Sequence, residues 1–368
     1  MSGSKLKRIT VKVGTRVLTD QRNRIDRNVI KSLADQIAGL MGRGLEVIVV
    51  SSGAIGAGLG LLKLDKKRRS LSEQQAVASV GQNHLMDIYN ECFNRKGYTA
   101  GQILLTQEDF NDRRRFLNIR YTINTLLKYK AVPVVNENDS VSTEEIKCGD
   151  NDRLSSLVAD LTDSDMLIIL TDVEGLYDEN SRLIEHVGET TAAVGALKAL
   201  CRGKGSDEST GGMATKLEAV RNAAKAGITC VIAPGRRGNV ITDIIDGRQT
   251  GTRFEASERT LAARKRWIAF SLKPRGAVKI DEGAEKALVD RNKSLLPGGI
   301  LGTTGAFSDG DVVDVVNKDE RVIARGLSNY SSEEIEKIKG KRSDRIEGEL
   351  GYKDYDEVIH RDNLVIIK

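Results

Sequence analysis

Val132-Pro133-Val134-Val135-Asn136-Glu137-Asn138-Asp139 is an apolar, β-branched run that ends abruptly in amides and carboxylates. Gly149-Asp150-Asn151-Asp152 follows it closely, at the opening of a helical pattern. Apolar strands that finish on polar groups mark an α/β sheet, whose ligands gather beyond the carboxyl ends of the strands. Asn and Asp also turn chains and cap helices, so one such cluster alone carries little weight. Two in close succession, in a chain with lysine–glycine elements elsewhere, point to a ligand site.

The flanking sequence supports the same architecture. Ile9-Thr10-Val11-Lys12-Val13 reads as a strand ending at Gly14. Asp26 then caps a helix whose apolar positions Ile30, Leu33, Ala34, Ile37, Leu40 and Met41 follow a 3.6-residue period. Gly42 and Gly44 close that helix, and Glu46 to Val50 forms the next strand. Ser72 with Gln75 predicts a capping box for a helix running to about Gly97. Ile103 to Leu105, Val132 to Val135, Met166 to Leu170 and Thr229 to Ala233 add short apolar strands. Such strands separated by helices predict a mostly parallel sheet covered on both faces, a three-layer αβα sandwich over residues 1–258. From 259 to 275 the chain is basic and irregular and holds the lone tryptophan, Trp267, as a linker would. Short strands between glycine turns then predict a small β-rich domain over 276–368.

Composition narrows the function classes. A length of 368 residues suits two domains with a substantial core. Net charge is +5 among many charges of both signs, and the basic runs Lys66 to Arg69, Arg113 to Arg115 and Lys339 to Arg342 are short, as solvated faces are. Cys92, Cys148, Cys201 and Cys230 are scattered, as are His84, His186 and His360, so neither set has metal-ligand spacing. The first residues lack the apolar core of a signal peptide, and no apolar run reaches membrane-spanning length. A cytoplasmic protein that makes no membrane contact is expected.

Neither a Walker A sequence nor a Gly-x-Gly-x-x-Gly after the first strand is present, which disfavours P-loop ATPases and nicotinamide dehydrogenases. Three other elements resemble phosphate machinery. Lys12-Val13-Gly14-Thr15 sets a lysine at a strand tip beside a glycine that admits close backbone approach. On its own, this also fits an edge lysine beside an ordinary turn. Ser51-Ser52-Gly53-Ala54-Ile55-Gly56-Ala57-Gly58 is a glycine-rich strand-to-helix turn, suited to an anion or to close helix packing. Thr210-Gly211-Gly212-Met213-Ala214-Thr215-Lys216 reads as a glycine pair opening a helix with Lys216 in its first turn. A cation there conflicts with the positive helix end, and a bound anion would relieve it. Lysines, backbone donors and clustered carboxylates together suit phosphoryl transfer.

These motifs occur in an order that resembles the glutamate 5-kinases of the amino acid kinase superfamily, and the tail from about residue 276 looks like the PUA domain many of them carry. The resemblance implies ATP-dependent phosphorylation of the L-glutamate γ-carboxylate, the first step of proline biosynthesis, on the amino acid kinase fold. By motif position, Ser52, Asp139 and Asn151 would hold glutamate, with Asn136 in support. Lys12 and Lys216 would neutralise the transferring phosphoryl group, organised by Asp152. The nucleotide would meet Lys12, Gly14, Gly53, Thr171, Asp172, Thr210, Gly211, Gly212, Met213, Ala214, Thr215 and Lys216. Mg2+ would enter mainly through the ATP phosphates, with no residue assigned as its direct ligand. A homo-oligomer, dimer or tetramer, and a transient hand-over to glutamyl phosphate reductase are further implied. Asn111 to Asn118 also resembles the family, in a mobile segment beside the glutamate site. Ser209 before Thr210 departs from the frequent Gly-Thr-Gly-Gly loop.

The chemistry agrees with that resemblance. A glutamate carboxylate, with an ordinary pKa of ~4.3, is already an ionised nucleophile at neutral pH, and no histidine lies near any motif. The difficulty is repulsion between two anions, which lysines and a divalent cation answer. A kinase acting on aspartate, acetylglutamate, carbamate or UMP is disfavoured by the Asn-Glu-Asn-Asp and Gly-Asp-Asn-Asp pair. An RNA-binding role for the tail is a different reading. Residues 275–353 carry 14 Lys and Arg against 15 Asp and Glu, a net of −1 that does not favour it.

Overall fold

The β-branched runs do form the centre of a sheet. The computed structural model describes residues 6–20, 24–65, 70–141, 150–188, 207–256 and 274–367, in two compact units, Met1–Arg259 and Thr260–Lys368. The basic run 66–69, Cys148, Gly149, Cys201, and the 259–275 linker with Trp267 except for residues 274 and 275, lie outside the described residues.

In the first unit the strands are β1 (Arg8–Val13), β2 (Glu46–Val50), β3 (Ala100–Leu105), β4 (Val132–Glu137), β5 (Met166–Thr171), β6 (His186–Val187), β7 (Thr229–Pro234) and β8 (Thr252–Phe254). They lie in the order β3-β4-β2-β1-β5-β7-β8-β6. Every pairing from β3 across to β7 is parallel, and β8 joins β7 antiparallel. All six side chains of β5 are buried, as a strand covered on both faces requires. The chain leaves β1 for β2 on one side and returns to β5 on the other, so the strand order switches direction at β1.

The helices are α1 (Thr15–Leu18), α2 (Arg27–Gly42), α3 (Ala54–Leu61), α4 (Leu71–Asn94), α5 (Gln107–Asn111), α6 (Arg113–Lys128), α7 (Asp150–Leu161), α8 (Asp207–Lys225) and α9 (Val240–Ile245). Helices α2, α4 and α9 cover one face of the sheet, where Ile30, Leu33, Ile37 and Leu40 pack on Val11, Val47, Val49 and Val134. Burying each such side chain contributes roughly 1.5–3 kcal/mol. Helices α6, α7 and α8 cover the other face through Ile123, Val158 and Leu217.

Asp26 caps α2 as the sequence predicts, accepting from the Asn28 N–H at 3.2 Å. The capping box of α4 is not Ser72 with Gln75 but Ser70 with Glu73, whose carboxylate accepts from the Ser70 N–H at 2.8 Å. An ionised acceptor makes the stronger cap, which explains why the earlier pair is used. The Asn111 to Asn118 run is the end of α5 and the first turns of α6, where Asp112 accepts from the Arg115 N–H at 2.8 Å.

Two glycines set the α3–α4 crossing. A Cβ on Gly81 would lie 1.8 Å from the Ala54 carbonyl oxygen, and one on Gly58 would lie 2.0 Å from that of Val77. Backbones meet where side chains would otherwise hold them apart.

The second unit is a five-stranded sheet of β9 (Gly276–Ile280), β10 (Ile300–Thr304), β11 (Val312–Val316), β12 (Val322–Leu327) and β13 (Leu364–Ile366), in the order β10-β9-β11-β12-β13. Val278, Val313, Val315, Ala324 and Tyr330 centre its own core. Lys339, Lys341 and Arg342 pair with Glu336, Glu349 and Asp344, so this basic run is locally neutralised. Among the described residues, no helix is long and apolar enough to cross a membrane.

Because the Gly81 Cβ would strike backbone, Gly81→Ala is expected to destabilise the first unit by at least about 1–3 kcal/mol. A urea titration followed by circular dichroism checks this against Gly39→Ala, where an added Cβ meets nothing within 4 Å.

Candidate active site

Strand register lines up the candidate side chains along one edge. Lys12 pairs with Val50 of β2 and Ile169 of β5, and Val50 pairs with Val135 of β4. Beyond these pairs the carboxyl ends present Asn136, Ser51 and Ser52, Gly14, and Thr171 with Asp172, strand by strand. The Gly14 N–H still donates to the Leu170 carbonyl at 3.1 Å, which fixes where β1 turns away. A Cβ on Gly14 would sit 3.2 Å from that oxygen and 3.7 Å from Lys12 Nζ. Glycine therefore leaves the lysine head room.

Strand alternation sends Val11 and Val13 toward α2 and α4 and Lys12 toward α7 and α8. There Lys12 Nζ lies 2.5 Å from Asp152 Oδ1 on α7, and Lys216 Nζ on α8 lies 3.2 Å from Oδ2 of the same carboxylate. The Thr215 hydroxyl donates to Oδ2 at 2.8 Å, and Lys216 also donates to the Gly212 carbonyl at 3.0 Å. Side-chain exposure is 6% for Lys12, 1% for Asp152 and 13% for Lys216. Among the described residues, two ammonium groups thus share one carboxylate away from bulk water. Burial pushes the Asp152 carboxyl pKa up, but Lys12 and Lys216, with hydrogen bonds from Lys12 and Thr215, outweigh that and hold it below the ordinary carboxylate range. Lys12 is therefore no edge lysine: it sits on a central strand in a charged cluster.

The glycine pair does not open α8. That helix begins at Asp207, so Thr210, Gly211, Gly212, Met213 and Ala214 lie within it, and Lys216 is well past the first turn. The expected conflict between Lys216 and the helix dipole, which acts only over the terminal turn, does not arise. What brings Lys216 to the sheet edge is its pairing with Asp152. Glycine is a weak helix former but not a breaker, costing about 1 kcal/mol per residue.

Other sequence-predicted residues take up positions along the same edge. Gly53 adopts φ +93° and starts α3, while Ser52 is buried. The Ser51 hydroxyl meets the Tyr89 hydroxyl at 3.0 Å, and burial raises the Tyr89 pKa to about 12, so this anchor stays neutral. Thr171 donates to Asp172 at 3.1 Å, and Arg16 pairs with Asp172 at 3.2 Å near the surface. Burial opposes ionisation of Asp172, yet the Arg16 and Thr171 hydrogen bonds lower its pKa. Asp139 stands in the turn after β4. Asn151 opens α7 with its Oδ1 buried and unbonded among the described residues.

Asn136 faces the α2–α4 side, opposite Lys12. Its Nδ2 donates to Gln82 Oε1 on α4 at 2.6 Å, and its Oδ1 accepts from the Glu137 N–H at 3.0 Å. Gln82 was missed by sequence reasoning, although an amide among the buried residues Ala78, Leu85 and Tyr89 of one helix face was a visible signal. Among the described residues, no group of three or more His, Cys, Asp or Glu side chains could hold a metal ion.

The family profile described as the Amino acid kinase family matches residues 7–234. The chain belongs to the amino acid kinase family. The PUA domain profile matches residues 276–350 of this amino acid kinase. A protein named glutamate 5-kinase from Thermoanaerobacter sp. (strain X514) is 48% identical over 367 residues, covering 98% of each chain. Another of that name from Caldanaerobacter subterraneus subsp. tengcongensis is 49% identical over the same length and coverage. The structure of Giardia carbamate kinase superposes with a TM-score of 0.51 at 17% identity, covering 69% of this chain and all of that one, a likeness of fold.

Removing Asp152 leaves two buried ammonium groups opposed. Asp152→Asn is expected to lower the unfolding free energy at pH 7 by about 3 kcal/mol. A lowered native pKa means the wild-type contribution is fully present above the unfolded-state pKa of ~3.9 and fades as pH falls through the lower native value. Denaturation midpoints of both proteins, compared at pH 7 and in acid, should therefore converge only on the acid side.

Proposed function

We propose that this chain transfers the γ-phosphoryl group of ATP to the γ-carboxylate of L-glutamate, yielding L-glutamyl 5-phosphate and ADP, the first step of proline biosynthesis. The observation that carries this reading is the buried Asp152 carboxylate bridging Lys12 and Lys216. Full-length identity near one half to proteins named glutamate 5-kinase supports the substrate.

A carboxylate oxygen of glutamate attacks phosphorus, the bond from phosphorus to the β–γ bridging oxygen breaks, and ADP leaves with that electron pair. No proton moves. The nucleophile is already ionised, and a carboxyl group with a lowered pKa such as Asp152 is a poor base. Its work is to hold two ammonium groups where nucleophile and phosphoryl group converge, so that the charge of the transition state is met without reorganisation. Ser52, Asp139 and Asn151 are assigned to glutamate, with the Asn151 acceptor suited to the ammonium end and Asn136 in support. Gly14, Gly53, Thr171, Asp172 and the Thr210–Lys216 stretch are assigned to the nucleotide. A divalent ion, Mg2+, suits phosphate oxygens better than this donor set, because Asp152 is committed to the lysines. When bound, it would screen the triphosphate charge. Acyl phosphates hydrolyse readily, which favours hand-over to glutamyl phosphate reductase, and a homo-oligomer in the cytoplasm completes the reading. The tail's charge balance and its paired basic run do not support an RNA-binding role.

Hydroxylamine trapping of the product of purified protein with ATP, Mg2+ and glutamate should give γ-glutamyl hydroxamate. Aspartate, acetylglutamate or carbamate as the sole productive acceptor would refute the assignment. Lys216→Ala should lower kcat by roughly 100- to 1,000-fold, whereas Asp139→Ala should chiefly raise the glutamate KM. Wild-type turnover by Lys216→Ala would remove that lysine from the chemistry.

A further inference from the structure

The amide pair on the α4 side of the sheet edge is oriented without ambiguity. The Glu137 backbone N–H meets an acceptor on Asn136, which must be Oδ1, so Nδ2 points at Gln82. The atom of Gln82 that receives this donor must then be Oε1. That leaves Gln82 Nε2 as the second amide group, fully buried and with no hydrogen-bond partner among the described residues. Gln82 as a whole is 8% exposed. A buried amide donor left unpaired is destabilising, so its retention calls for an acceptor that arrives from elsewhere.

We propose that Gln82 Nε2 is a substrate-binding donor for the α-carboxylate of the amino-acid substrate. This assignment rests on the functional reading above and adds to it the group that recognises the non-reacting end. Asn136 and Gln82 flank the carboxyl edge of the sheet on one face, and Lys12, Asp152 and Lys216 flank it on the other. A substrate whose reacting carboxylate meets the lysines extends its amino-acid end across the edge toward the amides. An N–H donor matches a carboxylate there and rejects an ammonium group. Asn136 acts as a positioning residue, holding the Gln82 amide in the donating sense.

The test compares the glutamate KM with the inhibition constant of γ-aminobutyrate, which keeps the ammonium group and the distal carboxylate but lacks the α-carboxylate. Gln82→Met should raise the glutamate KM roughly 10- to 100-fold and leave the γ-aminobutyrate constant unchanged within about twofold. Gln82→Glu, which keeps the acceptor for Asn136 but replaces the donor with a negative charge, should raise the glutamate KM further. Equal weakening for both ligands would indicate a merely structural amide, and an unchanged glutamate KM would remove Gln82 from the site. Either result overturns the proposal. If the wild type yields no γ-glutamyl hydroxamate, the functional reading itself fails, which separates the two failures.

Discussion

One carboxylate holding two ammonium groups is the constraint around which the first unit is organised. Asp152 comes from α7, Lys12 from β1 and Lys216 from α8, so the cluster forms only when both helices pack on the same face beside the central strand. Burying three charges is expensive, and such clusters are seldom kept for stability alone. The cluster stands at the end of a parallel sheet where the strand order switches direction, the position at which open α/β sheets gather their ligands.

Much of the frame that carries this cluster was legible in the sequence. Met166 to Leu170 is apolar at every position because both faces of β5 are covered, and Ile30 to Leu40 repeats at helical spacing because one face of α2 is. Lys12 was legible from Gly14 just after it at a strand tip, and Lys216 from the glycine pair that precedes it. Their shared partner was placed only by resemblance, since Asp152 reaches Lys216 across 64 residues of chain and no local pattern encodes that distance. Short strands such as His186–Val187 and Thr252–Phe254 were invisible because two or three residues carry no measurable period.

At the start of α8 the dipole argument for Lys216 does not hold, although the lysine does reach Asp152. Gly211-Gly212 suggested a loop, and the dipole argument for Lys216 followed from it. The helix runs through the glycines, and the lysine's partners turn out to be Asp152 and the Gly212 carbonyl. Thr215, grouped with the nucleotide loop by motif position, bonds to Asp152 as well. Gln82 escaped notice because a lone amide on an apolar helix face resembles an ordinary core polar residue until its hydrogen bonds are traced.

If charge placement alone, with no proton acceptor, lets an ionised acid meet a polyphosphate, turnover should not follow the titration of any base. The most direct test is the pH dependence of kcat with ATP, Mg2+ and glutamate all saturating. The account predicts a level profile over about pH 6.5 to 8.5, where glutamate carboxylates stay ionised and lysines stay protonated. A descending acid limb with an apparent pKa near 7, abolished by replacing a single side chain, would reveal a general base and contradict it.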